Sequence, residues 1–126
     1  MKYINRDEIK VKPLPGRALQ LFTGQVDAAS YSEGITSGFA HYSVESGPMS
    51  PHRHAEEIVY ILDAKDAWTR YGGFGDEPNE LGEPLELKEG MILHFPENEW
   101  HVFGFAEGGH LDISFFYADP SVYSNQ

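Results

Sequence analysis

Six histidines stand at positions 41, 52, 54, 94, 101 and 110, and two of them lie one residue apart in Gly47-Pro-Met-Ser-Pro-His52-Arg-His54-Ala-Glu56-Glu57. On a strand, side chains two apart share a face, so His52 and His54 present two imidazoles together while Arg53 points away. Such a pair can grip a metal. Glu57 opens the apolar run that follows, and a carboxylate there would add a charged oxygen of the kind that suits iron, manganese, nickel or zinc. The bland alternative is that a His-x-His pair beside a Pro-rich turn is polar loop surface. A second stretch, Gly90-Met-Ile-Leu-His94-Phe95-Pro96-Glu-Asn98-Glu-Trp100-His101, ends a strand in a Pro-x-Asn turn and opens the next segment on His101.

The remaining candidates rank lower. His41, in Phe39-Ala-His-Tyr-Ser-Val, either faces the interior as a substrate contact or is a satisfied structural histidine, and the structural role is the commoner one. The same applies to His94, and His110, after Gly108-Gly109, is expected exposed at a turn. Trp68 and Arg70 share a strand face, so one could line a cavity while Lys65 offers a cation to an anionic substrate; an outward face is the equal alternative. Tyr60, Phe103 and Phe105 read as packing residues. The rings of Phe115-Phe116-Tyr117 fall on both faces, which suits a strand covered on both sides, and a dimer interface is one cover.

These residues need strands to hold them. Thirteen Gly and eight Pro punctuate the 126 residues, and between them lie segments rich in β-branched and aromatic residues: 18–23, 35–44, 57–62, 67–71, 84–87, 91–95, 101–105 and 111–117. In Leu111-Asp-Ile-Ser-Phe the apolar residues alternate with polar ones, as in a half-buried strand. Eight strands and no long helical period predict a closed or double-sheet β architecture. The acidic, turn-rich segment 72–84 reads as a surface loop, 1–17 as an extended lead-in arm, about 18–118 as the barrel, and the residues after Pro120 as a short tail.

Composition narrows the function classes. Nine Lys+Arg against twenty Asp+Glu give a net charge of -11, which repels phosphate backbones, so nucleic acid and anionic lipid are poor partners. No apolar run approaches the ~20 residues of a membrane span. Without cysteine, disulfides, thiolate nucleophiles and zinc-thiolate sites are excluded, and any metal must rest on His and carboxylate. No Walker-type loop, dinucleotide fingerprint or Gly-x-Ser-x-Gly elbow is present. The first residues, Met1-Lys-Tyr-Ile-Asn-Arg-Asp-Glu, resemble neither a signal nor a transit peptide, and a cytoplasmic location is the default expectation.

Together the two histidine stretches resemble the paired motifs of the cupin family, in which a Gly, His-x-His and Glu meet a Gly, Pro, Gly and His. The resemblance spans Gly47 to Phe105. It implies a single cupin domain over 1–126, a β-barrel or jelly roll of two antiparallel sheets, with His52, His54, Glu57 and His101 holding one divalent metal ion. Four departures stand out. Only Ala55 and Glu56 separate His54 from Glu57, where the family has three or four residues, and Ala64 stands where a Gly is usual. Asn98 replaces a Gly, which its tolerance of the left-handed turn conformation explains. Phe105 stands where Asn is common. A four-ligand site, a three-histidine site with Glu57 unbound and a metal-free barrel all stay open. The resemblance further implies a small-molecule ligand, a homodimer, and either a metalloenzyme (isomerase, lyase or dioxygenase acting on a sugar, organic acid or phenolic) or a non-catalytic ligand-sensing domain.

Overall fold

The apolar alternation is realised in a computed structural model that describes residues 1–119 and joins eight strands into one hydrogen-bonded sheet. In chain order these are β1 (Lys12–Leu14), β2 (Arg17–Gly24), β3 (Ser30–Tyr31), β4 (Thr36–Tyr42), β5 (Glu57–Tyr71), β6 (Leu85–Glu86), β7 (Ile92–Phe95) and β8 (His101–Tyr117). Their order across the sheet is β1-β2-β4-β8-β5-β6, with β3 beside β2 and β7 beside β5. All pairings are antiparallel except the short β2–β3 contact. The architecture is the all-β jelly roll expected from the sequence.

Two pairs of expected strands turn out to be single ones. Segments 57–62 and 67–71 merge into β5, and 101–105 and 111–117 into β8. The polar run Asp63-Ala-Lys-Asp66, which lies between the two expected segments, stays in the ladder as bulges. Leu62 is extra between the pairs Ile61↔Ile113 and Asp63↔Asp112. Residues 106–109 are extra opposite Asp66, whose φ of 49° lies in the left-handed region that Asp tolerates. Gly108, at φ 79°, takes up the same bend from the other strand, so His110 lies in β8 and not at a turn.

One face of each strand builds the core. Leu19 and Leu21 of β2, Val59 and Ile61 of β5, and Leu111, Ile113 and Phe115 of β8 are buried, each such side chain contributing about 1.5–3 kcal/mol of transfer free energy. Of the three rings at 115–117, Phe115 and Tyr117 point inward while Phe116 is half exposed, beside its cross-strand neighbour Ile58. Tyr60, expected to pack, is also exposed on that outer face. The lead-in arm is ordered in part: Arg6–Glu8 forms a 3-10 turn and Lys12–Leu14 adds a strand to β2, with Pro13 on the sheet edge where its missing N–H costs nothing. Segment 72–84 is a loop, as expected, and Arg70 ties it down by donating to the carbonyls of Gly82 and Leu81. The short tail expected after Pro120 lies outside the described residues.

Candidate metal centre

Backbone pairing sets the histidines before their side chains matter. The N–H of His52 donates to the carbonyl of His101 and the N–H of His101 to that of His52, both at 3.0 Å, so the two residues form one rung beside the start of β8. The segment carrying His54 is pinned from the other side, where the Asn98 N–H donates to the His54 carbonyl at 2.9 Å. Asn98 holds φ 67°, the left-handed conformation anticipated for a residue standing in place of Gly. Glu57 opens β5, paired with Phe95 of β7 and Tyr117 of β8.

The imidazoles are then oriented by backbone carbonyls. His101 Nδ1 donates to the Glu99 carbonyl at 2.9 Å and His54 Nδ1 to the Ala55 carbonyl at 3.1 Å, so in the neutral rings each Nε2 keeps its lone pair. Rings pack against them: Phe95 stacks on His101 at 4.2 Å between centroids, and Tyr117 meets His54 edge-on at 4.4 Å. One ligand atom from each of His52, His54 and His101 lies within 4.8 Å of the others. Glu57 Oε1 joins them, 3.4 Å from His101 Nε2 and 4.0 Å from His54 Nε2.

This grouping is costly without a cation. The Nε2 atoms of His54 and His101 and Oε1 of Glu57 are buried with no hydrogen-bond partner among the described residues, and buried polar atoms left so cost about 1–3 kcal/mol each. Burial, followed by the neighbouring His101, His54 and Arg17, holds His52 well below the ordinary histidine range. Burial likewise lowers His54, against the opposing pull of Glu57. Both rings are therefore neutral at pH 7, the form that ligates. Three histidine nitrogens and a carboxylate oxygen brought together inside the barrel fit a divalent cation that accepts nitrogen and oxygen donors.

All four residues singled out as ligands thus converge. The other histidines do not. His41 faces outward and bonds Asp112 at 3.1 Å, His94 pairs with Glu56 at 2.6 Å, and His110 with Asp63 at 2.7 Å. Trp68 covers Gly104, where a Cβ would run into the indole ring, and lines a crevice of about 320 Å³ together with Tyr42, Met49, Phe103 and Phe105. Lys65 is exposed. Sequence reasoning passed over Arg17, whose charge acts on both His52 and His54. Its alternation with Leu19 and Leu21 was the available signal.

Solved structures settle the fold. A protein from Planctomyces limnophilus aligns at a TM-score of 0.69 and 16% identity, over 94% of this chain and 90% of that one. Fe(II)-HppE with the alternative substrate (S)-1-HPP aligns at 0.66 and 11% identity, over 93% of this chain and 60% of that one. Bacillus subtilis oxalate decarboxylase, studied for its Mn(II) centres, aligns at 0.68 and 17% identity, over 98% and 30%. The chain has the cupin fold. It spans less than two thirds of the length of the last two relatives. No protein-family model and no curated protein matches the chain. The cupin fold hosts unrelated chemistries, so the function rests on this chain's own site.

Proposed function

We propose that this cupin is a metal-dependent protein acting on a small polar molecule, with His52, His54, His101 and Glu57 holding one divalent ion. The observation that carries the proposal is the set of buried, unpartnered atoms on His54, His101 and Glu57, joined by a ligand atom of His52 that lies within 4.8 Å of those of the other two histidines. The Fe(II) and Mn(II) centres of structurally similar proteins favour iron or manganese over nickel and zinc. Bound there, such an ion would supply Lewis acidity or a redox-active centre.

The chain's own residues define what the site does around it. Carbonyls of Glu99 and Ala55 fix the tautomers of His101 and His54, so no proton must move before these rings ligate. Phe95, Phe103 and Tyr117 exclude water from one side. Met49, Trp68 and Phe105 leave an apolar crevice on the side of Phe103, large enough for a small molecule. Isomerase, lyase and dioxygenase chemistry all suit such a centre. The homodimer expected from the sequence would draw on the exposed row Ile58, Tyr60, Ile92 and Phe116, and light scattering at the mass of one chain would remove it.

The test is elemental analysis of protein purified without chelator or histidine tag, beside a His52→Ala/His54→Ala variant. We expect near-stoichiometric iron or manganese in the first and none in the second. Full metal retention in the variant, or a metal-free parent after reconstitution, overturns the assignment.

A further inference from the structure

The residue between the two paired histidines points away from the centre, and what it meets there joins the two stretches that carry the histidine ligands. Arg53 is half-buried, and its Nη1 donates to the Gly75 carbonyl at 2.7 Å and to that of Phe74 at 3.1 Å. Trp100, the chain neighbour of His101, donates from Nε1 to the same Gly75 oxygen, also at 2.7 Å, and the Arg53 guanidinium carbon lies 4.9 Å from the centroid of its ring. A carbonyl oxygen has two lone pairs, and here both go to side chains that stand one residue from a candidate ligand. One oxygen on loop 72–84 thus ties the His52–His54 stretch to the His101 stretch from outside.

The loop is built to hold that oxygen in place. It leaves β5 directly after Tyr71, the ladder partner of His101. The Gly72 N–H then donates to the Trp100 carbonyl and the Trp100 N–H to that of Gly73, both at 3.0 Å, so the pairing runs on past the ends of the two strands. Gly72 and Gly73 take φ 137° and 90°, and a Cβ on Gly72 would lie 2.6 Å from the Glu80 carbonyl oxygen, so the turn is made without side chains. The backbone joins the two ligand stretches at the His52–His101 rung and at the bond from Asn98 to His54. The junction on Gly75 is a further tie, made by side chains that are not themselves candidate ligands.

Resting on the metal assignment made above, we infer that Arg53 and Trp100 are positioning residues. By sharing the Gly75 carbonyl they hold His52, His54 and His101 at the spacing an ion needs before it arrives. Affinity depends on how little the ligands must be ordered when the ion binds, so a tie between their backbones raises it without any contact to the ion. An exposed loop then governs how firmly a buried centre keeps its metal. Arg70 supplies the comparison, because its guanidinium ties the far end of the same loop through the carbonyls of Gly82 and Leu81.

The test loads the full chain with Co(II) and follows its loss to excess EDTA through the cobalt absorption bands. Arg53→Met, which keeps an apolar stem and removes the donors, is expected to speed that loss about 5- to 10-fold, as for one or two hydrogen bonds, and Trp100→Phe about 5-fold. Arg53→Lys, which returns a donor and a cation to the indole, should recover part of the retention, and Arg70→Met should leave the rate unchanged. Equal loss from Arg53→Met and the parent overturns the proposal. So does the same acceleration in Arg70→Met as in Arg53→Met, because any loosening of the loop would then suffice. If the parent takes up no cobalt, the metal assignment fails by itself, and amide hydrogen exchange of the metal-free protein decides on the positioning role. Exchange of the His52 and His101 N–H groups that quickens in Arg53→Met and not in Arg70→Met supports it, and exchange that is unchanged or quickens in both overturns it.

Discussion

Two clusters of histidine and carboxylate lie in this barrel, one on each side of the same strands, and they are built on opposite principles. In the inner one, carbonyl oxygens take up the Nδ1 atoms of His54 and His101, while Nε2 and the Glu57 oxygen stay buried and unpartnered. In the outer one, His41 bonds Asp112, His110 bonds Asp63, and Arg6 makes two bonds to Asp112 at 2.6 and 2.7 Å. Composition is therefore a poor guide to a ligand site. What separates the two is whether donors and acceptors satisfy one another, because a satisfied set has nothing left to offer a cation.

The largest contrast should come from removing one histidine on each side. His101→Ala is expected to abolish metal uptake, whereas a His41→Ala/His110→Ala variant should keep its full metal content; metal lost from the outer variant would erase the distinction. Glu57→Gln sharpens it. Without metal, replacing a buried carboxylate that faces two lone pairs should stabilise the protein by about 1–3 kcal/mol in urea unfolding, while metal affinity falls at least about 10-fold. An unchanged affinity would identify a three-histidine site with Glu57 as a bystander. On the outer side, Asp112→Ala leaves Arg6 and His41 without their acceptor and should cost about 1–3 kcal/mol, again by urea unfolding, with metal content intact.

Acid should separate the clusters as well. His52 and His54 are held below the ordinary histidine value of 6.5, so the unfolded chain takes up protons first and the metal-free protein should lose stability as pH falls below about 6.5. Burial pushes the Asp112 carboxyl up, but bonds from Arg6 and His41 outweigh it and hold the group below its ordinary value of 3.8. Its contribution is present above that value and disappears only as pH falls beneath it. Unfolding free energies from pH 7.5 to 3 should therefore decline in two stages, and His52→Gln should flatten the upper one. The smallest effect belongs to the exposed His94–Glu56 pair, where His94→Gln should change stability by no more than about 0.5 kcal/mol.

Much of the inner cluster was legible because strand alternation and turn chemistry are local. His52 and His54 share a face, Pro96 and Asn98 set a turn, and His101 follows it, all within short stretches. The outer cluster was not legible. His41, Asp112 and Asp63 meet only through cross-strand register, and register depends on bulges that single-strand patterns do not reveal. For the same reason 57–62 and 67–71 read as two separate strands and Gly108-Gly109 as a turn. Turn-forming residues also serve in bulges, and the choice is made by the partner strand. Arg17 escaped notice because a cation at a strand's first position looks like ordinary surface, and its effect on His52 and His54 arises only in the folded chain.

The ribbon of β5 and β8 pairs Glu57 with Tyr117 at one end and Tyr71 with His101 at the other. Laid out straight, the fourteen steps of that ladder would hold Glu57 and His101 roughly 45 Å apart. Its bulges bring them within 3.4 Å. An ion between them would act as a clasp on a bent spring. Since the bend must already exist before both ends can be gripped, such a clasp would leave the rate of folding nearly untouched and would slow unfolding instead, giving the barrel a lifetime set by how fast the ion escapes.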